Sequence, residues 1–291
     1  MRMGGLGAAH LIFQGGIMHR ATTHALRACA TATALLALAT GCSSDEQDDT
    51  KPSAAKKDPG KTATEAVRAA VAKVRGTSAD IHGEVLVAEG EGAFPISLDG
   101  PFDLANDKGK LAVDFPGGAI DHVDEIFDGD TIYVNGIQGV AKGTWGAVAR
   151  DKAEAHYLLR APLNDPEHYL RQISAMRKVE RFGSNETVGG ALTTRYRGSI
   201  DHATLTLRLA DKPREGAKKI RDLQGTDLPV FADAWVDHQG RLVRLKMTYR
   251  MATVSVTTTM TLSAFGKPVK VAAPDASRTV PATTMGGVLL G

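Results

Sequence analysis

Val243-Arg244-Leu245-Lys246-Met247-Thr248-Tyr249-Arg250 alternates apolar and polar side chains without a break, and Val254, Val256, Met260 and Leu262 repeat the pattern among serines and threonines. A period of two puts alternate side chains on opposite faces of an extended chain. One face of these two strands is therefore apolar and the other wet, as expected of an antiparallel sheet with a single covered face. Residues 230 to 236 lead into them through the turn Asp237-His238-Gln239-Gly240.

Upstream, the same period recurs in Ile81, Val85 and Val87, in Phe94, Ile96 and Leu98, and in Leu111, Val113 and Phe115. Pro101, Asn106-Asp107 and Pro116-Gly117-Gly118 supply turns between or after them, and Asp128-Gly129 marks a hairpin before Ile132 and Val134. Helical spacing appears where Val67, Val71 and Val74 follow one another at four and three residues, with Arg68, Lys73 and Arg75 elsewhere on the cylinder. A second helix opens at Asn164-Asp165-Pro166, a capping residue followed by proline in the first turn, with Leu170, Ile173 and Met176 on its apolar face. Lys212 to Leu223 reads as a further short helix with a thin apolar face. Many sequential strands with few helices predict an α+β fold, a large curved antiparallel sheet with helices covering its apolar face.

The N-terminus has a different character. The first 41 residues hold three arginines, three histidines and no Asp or Glu, and the apolar run Ala28 to Thr40 ends at Gly41-Cys42. About 13 apolar residues are too few to span a bilayer and suit the core of a signal peptide, with Met18 read as the start. Ala39-Thr40-Gly41-Cys42 resembles a lipobox, in which a small residue precedes a cysteine that is joined to diacylglycerol; Ala39 stands where Leu is usual. Cys42 is thus the expected lipid-attachment residue, and the expected location is the extracytoplasmic face of a cell membrane. Residues 1 to 41 are read as signal and 42 to 60 as a lipidated tether. The tether's SSDEQDDTKPSAAKKDPG lacks large apolar side chains and would have an r.m.s. length of about 23 Å. One folded domain is expected over residues 61 to 275, and residues 276 to 291 are read as a flexible tail.

Composition excludes several classes of function. Three of the 35 Lys and Arg lie in the first 41 residues, leaving 32 against 33 Asp and Glu, so the mature chain has no electrostatic claim on nucleic acid. Cys42 is its only cysteine after the signal, which leaves no disulfide and no thiol-ligated metal. There is no G-x-S-x-G elbow, H-E-x-x-H, Walker loop or dinucleotide fingerprint, so no catalytic residue, metal ligand or cofactor is expected. The acidic run Asp121-His122-Val123-Asp124-Glu125, with Asp128 and Asp130, has no calcium-loop spacing and reads as a solvated turn. The six histidines after the signal, among them His82 and His238, read as surface residues.

Several segments in order carry a resemblance: Asp128-Gly129-Asp130-Thr131-Ile132-Tyr133-Val134, Gly143-Thr144-Trp145, Asp165-Pro166, Glu186-Thr187-Val188-Gly189-Gly190, Thr194-Arg195-Tyr196-Arg197-Gly198, Ala234-Trp235-Val236-Asp237 and Phe265-Gly266-Lys267-Pro268-Val269. Behind a lipobox, this series resembles the LppX/LprA/LprF/LprG family of actinobacterial lipoproteins. The resemblance implies a LolA/LolB-like half-barrel sheet with helices across its concave face and, between them, an apolar cavity for an acylated lipid or glycolipid of the envelope. The cavity would then be lined by Val67, Val71, Val74, Leu170, Ile173 and Met176 on the helices and Val243, Leu245, Met247, Val254, Val256 and Met260 on the strands. Arg195, Tyr196 and Arg197 are candidates for a headgroup. The alternative is a regulatory module that grips a membrane-protein partner, since LolA-like folds also occur in periplasmic sensors.

Overall fold

The computed structural model describes residues 59–118, 120–137, 139–251 and 254–282, without the side chain of residue 89. The signal segment, Cys42 and the tether as far as residue 58 lie outside the described residues.

Helix α1 (Pro59–Arg75) buries Ala63, Val67, Ala70, Val71 and Val74, the stripe read from the spacing. It begins inside the stretch read as tether, because Pro59 is pre-set for a first helical turn. After it come β1 (Ser78–Glu89), β2 (Gly92–Asp103), β3 (Lys108–Asp114), β4 (His122–Asp128), β5 (Thr131–Asn135) and β6 (Trp145–Ala149). A strap over residues 150–165, with short 3-10 turns at its two ends, leads to α2 (Pro166–Ser174). Then follow β7 (Arg177–Val188), β8 (Ala191–Ile200), α3 (His202–Leu205), α4 (Asp211–Gln224), β9 (Val230–Asp237), β10 (Leu242–Met251), β11 (Val254–Ser263) and β12 (Thr279–Pro281).

All twelve strands form one open sheet in the order β12-β6-β5-β4-β3-β2-β1-β11-β10-β9-β8-β7. It consists of two antiparallel runs, β1 to β6 and β7 to β11, that meet where β1 pairs with β11; α3 and α4 interrupt the second run between β8 and β9, and β12 adds to β6 in parallel. After the first run the chain crosses to the far edge through the strap and α2, then returns strand by strand. The strap, α1 and α2 cover one face, and the buried apolar side chains of that face form one continuous core. This is the α+β class and the large antiparallel sheet that the alternation and the resemblance implied.

Two local departures matter. β10 carries a one-residue bulge, Leu242 opposing Val236 and Arg244 opposing Trp235, which leaves Val243 unpaired between them. The extra residue shifts the parity of the strand, so Leu242 and Leu245 both face the core while Val243 turns to the other side with Val188 and Trp235. At the other end of the chain, residues 276–281 are not a loose tail. Asp275 caps a 3-10 turn, and Thr279–Pro281 then pairs in parallel with β6 from Trp145 to Ala147.

Candidate functional site

An apolar cleft lies at one end of the sheet, where the β1–β2 hairpin, the turn after β3 and the strap converge. Val87, Phe94, Pro95 and Ile96 form one wall, Phe115, Pro116, Gly117 and Gly118 a second, and Tyr157 and Arg160 the third; the enclosed volume is about 290 Å³. The strands place the first wall by register: Val87 opposes Phe94 and Val85 opposes Ile96, all on the covered face. Gly117, with φ +77, lets the chain turn back at the second wall. Phe94 remains 62% exposed and Tyr157 44%, which marks the mouth.

Arg160, 4% exposed, is the one charged residue among the described residues that line these walls. Its guanidinium stands 5.5 Å from the centre of the Phe115 ring, and burial pulls its pKa below the ordinary guanidinium value. The strap is held in place against local preference. Leu159, Leu163 and Asn164 have φ of 62, 45 and 52°, the left-handed region that side chains with a Cβ disfavour by about 1–2 kcal/mol each. What offsets this is burial of both leucines, a 2.6 Å hydrogen bond from Thr258 Oγ1 to the Leu159 carbonyl, and another of 3.0 Å from Ala161 N–H to the Tyr169 oxygen.

Behind Arg160 lies Glu125, fully buried on the inward face of β4 between Leu111 and Val134. Asn164 Nδ2 donates to its Oε1 at 2.9 Å, while its Oε2 has no hydrogen-bond partner among the described residues. Burial pushes the carboxyl up to about 8, against the opposing pull of Asn164 and Arg160, so it is neutral at pH 7. Burial likewise pushes the Tyr169 hydroxyl up to about 12 and His168 down to about 4. His168, 3% exposed on α2, is thus an interior histidine and not the surface residue expected.

The ends of the strap are fastened by ions. Arg150 forks onto Asp165 at 2.8 and 2.7 Å and reaches Asp107 at 2.8 Å, and Arg208 donates to the carbonyls of Arg150 and Ala153. Asp165 also caps α2 by accepting from Glu167 N–H at 3.0 Å, the capping role read from its position before Pro166.

The residues expected to line a cavity are placed differently. Val67, Val71, Val74, Leu170, Ile173, Met176, Leu245, Met247, Val256 and Met260 come together as packed core, each at most 4% exposed. Positions such as Val71 and Ile173 are therefore ones where a larger side chain would overpack the interior rather than close a cavity. Val243 faces the opposite side through its bulge, and Val254 is half-buried at the strand end. Arg195 and Arg197 both fork onto Asp233 on the outer face, with Arg197 3.7 Å from the Phe182 ring centre. Tyr196 packs on the inner face, so the three do not form one headgroup site. The acidic run read as a turn is strand β4, whose alternation sends Glu125 inward and leaves Asp124 beside Lys110 outside. Of the cleft, Phe94, Ile96 and Phe115 were visible as strand residues and Pro116-Gly117-Gly118 as a turn. Tyr157 and Arg160 lie in a stretch with no periodicity and gave no signal.

No protein-family model matches the chain, and no curated protein matches it. Solved structures similar to it include LprF from Mycobacterium bovis, at 15% identity over 74% of this chain and 98% of that one, with a TM-score of 0.45. A LolA superfamily protein from Nitrosomonas europaea matches at 9% identity over 77% of this chain and 98% of that one, with a TM-score of 0.31. MucB in the MucA/MucB complex of Pseudomonas aeruginosa matches at 8% identity over 74% of this chain and 59% of that one, with a TM-score of 0.34.

Proposed function

We propose that this chain is a non-enzymatic lipid-binding lipoprotein of the cell envelope, anchored through Cys42, which shelters an acyl chain of a membrane amphiphile in the cleft at the β1–β2 end of its sheet. The observation that carries this reading is the cleft itself: of the ten described residues that line it nine are uncharged and mostly apolar, and its mouth exposes Phe94 and Tyr157. Ligand sites commonly run from about 300 to 1,000 Å³. At about 290 Å³ this one suits part of a single chain.

The energetic reason for such a cleft is the cost of carrying hydrocarbon through water, about 0.8 kcal/mol per methylene or on the order of 13 kcal/mol for a 16-carbon chain. A cleft that covers even part of the chain lowers the barrier to leaving the bilayer. Its position fits the anchor. Lys73, in the last turn of α1, bonds the Gln239 carbonyl at the sheet end away from the cleft, and Thr77 passes directly into β1 there. Arg68 bonds the Ser174 carbonyl, next to the residue row Arg177–Ser199–Phe231–Thr248–Thr257–Leu86–Pro95 that ends at the cleft wall. The helix therefore starts towards the cleft end, the end at which the chain enters the domain at Pro59. No helix among the described residues is long and apolar enough to cross a membrane.

Two substitutions test the reading. Ile96→Trp fills the cleft from its β2 wall and is expected to weaken binding of a fluorescent 16-carbon acyl probe at least tenfold while far-UV circular dichroism stays unchanged. Equal binding by this variant and the parent protein would remove the cleft from consideration. Cys42→Ser is expected to move the protein from the membrane to the soluble fraction of the cell envelope with acyl-probe affinity intact. A membrane-bound serine variant would refute the anchor.

A further inference from the structure

We infer that the uncovered face of the sheet is an interface between two copies of this chain, closed by a two-fold axis that runs along the strands between β10 and β11. This face lies on the side of the sheet away from the cleft, so the inference stands or falls separately from the lipid reading. Three observations carry it.

The strands of this face are sorted by the sign of their charge. β1 and β2 contain acids and no Lys or Arg, with Asp80, Glu84 and Asp99 next to buried Ile81, Val85 and Leu98 and therefore on the uncovered face. β11 contains no charged residue and turns Ser255, Thr257, Thr259 and Thr261 outward. β10 contains Arg244, Lys246 and Arg250 and no acid, and β8 adds Arg195 and Arg197. On β9, Asp233 is already held by forks from Arg195 and Arg197, and Asp237 by Arg241. A negative half thus lies to one side of a neutral strand and a positive half to the other. A face of one sign repels its own copy, whereas a divided face is complementary to itself across a two-fold axis.

The register states which residues such an axis brings together. Turning the face over about a line between β10 and β11 exchanges β10 with β11, β9 with β1 and β8 with β2, and leaves each row of residues at its own level. In the row Asp233–Lys246–Thr259–Glu84, Glu84 comes to lie between Lys246 and the Arg197–Asp233 pair of the second copy. In the row Arg195–Trp235–Arg244–Thr261–His82–Asp99, Asp99 comes to face Arg195 of the second copy. Sheets packed face to face stand about 10 Å apart, a gap that a Lys or Arg side chain and a carboxylate close from opposite sides.

The third observation is apolar. Leu86 and Phe231 are large side chains left exposed on this face, and they occupy one row, Phe231–Thr248–Thr257–Leu86, at equal distances from the axis. The two-fold sets Leu86 of each copy on Phe231 of the other, around a centre of threonines. Aromatic side chains at the middle of a patch with charges outside them are the usual anatomy of a protein interface.

The test is sedimentation equilibrium of the Cys42→Ser chain at pH 7 in about 20 mM and about 500 mM sodium chloride, between which the screening length falls from about 20 Å to about 4 Å. A dimer is expected in low salt, with a dissociation constant at least tenfold higher in high salt. Lys246→Glu alone and Glu84→Lys alone are each expected to be monomeric, because each sets like charges against one another at both symmetric contacts. Mixed in equal amounts, the two variants are expected to form a heterodimer, since one contact then keeps the parent signs and the other carries them exchanged. Phe231→Ser is expected to weaken the dimer at least tenfold. All three side chains lie at the surface, and unchanged far-UV circular dichroism is expected for each variant. A parent chain that remains monomeric in low salt at about 1 mM overturns the inference. So does a dimer that keeps its affinity in both charge variants, or a mixture of the two that fails to associate. Acyl-probe binding reads the other side of the sheet, so a dimer that binds no probe leaves this interface standing while removing the lipid reading.

Discussion

Asp165→Asn is expected to lower the unfolding free energy by about 3–5 kcal/mol, the usual cost of removing one partner of a buried ion pair. The carboxylate is 3% exposed and the Arg150 guanidinium that forks onto it 11% exposed. Asparagine is nearly isosteric and is as good an N-cap as aspartate, so the bond from Glu167 N–H survives and the charge alone is lost. Arg150 would keep Asp107, which is half exposed and offers a weaker, better-solvated partner. The second substitution Arg150→Met, added to Asp165→Asn, is expected to recover part of the loss, because it removes the cation that the first change stranded. Urea denaturation of the four members of this cycle measures both effects. A loss below about 1 kcal/mol in Asp165→Asn would show that solvent reaches the pair. The change should also travel to the cleft. Arg150 and Asp165 close the two ends of the strap that carries Tyr157 and Arg160, so amide hydrogen exchange over residues 153–164 should quicken in the variant.

Glu125→Gln should do the opposite, and only above acid pH. The folded protein holds the Glu125 proton up to about pH 8, whereas the unfolded chain gives it up near the ordinary value of 4.5. Unfolding thus releases a proton throughout that window, and stability falls as pH rises through it. At 1.36 kcal/mol per pH unit, the accumulated cost at pH 7 is on the order of 3 kcal/mol. Glutamine keeps the Oε1 acceptor for Asn164, and its amide can face the Asn164 Oδ1, which has no hydrogen-bond partner among the described residues. The variant is therefore expected to match the parent at pH 4, exceed it by about 2–3 kcal/mol at pH 7, and gain nothing more above pH 8. Denaturation midpoints at pH 4, 5.5, 7 and 9 check this. Parallel pH profiles for the two proteins would mean that Glu125 is solvated or differently paired.

Much of the sheet could be read from the chain because burial on one face writes itself into the sequence. Val85 and Val87, Ile96 and Leu98, and Leu111 and Val113 lie two residues apart, Val256 and Met260 four, and each pair shares the covered face. The turn at Asp128-Gly129 and the cap at Asp165 were legible because each depends on a few neighbouring backbone torsions. The bulge at Val243 was not, since strict alternation through Val243, Leu245 and Met247 reads as an unbroken strand. Only the partner strand, by opposing Val236 to Leu242 and Trp235 to Arg244, shows the extra residue. The three-residue strand β12 escaped notice for a related reason: residues 279–281 have no internal pattern and are extended because β6 offers them a free edge.

By itself the sequence determined the α+β class, the amphipathic faces of α1 and α2, the capping of α2 and the one-sided strands, all of which follow from short-range periodicity and local backbone preference. Tertiary structure alone decided which apolar side chains fill the interior and which leave a cleft. Val71 and Ile173 lie on apolar helix faces as Phe94 and Ile96 lie on an apolar strand face; what separates them is how completely other elements pack over them. It also decided the fate of the charges. Glu125 and Arg160 lie 35 residues apart in stretches that read as solvated turn and featureless loop. Their meeting inside the protein depends on the strap crossing the sheet, a long-range event that no pattern in either segment encodes.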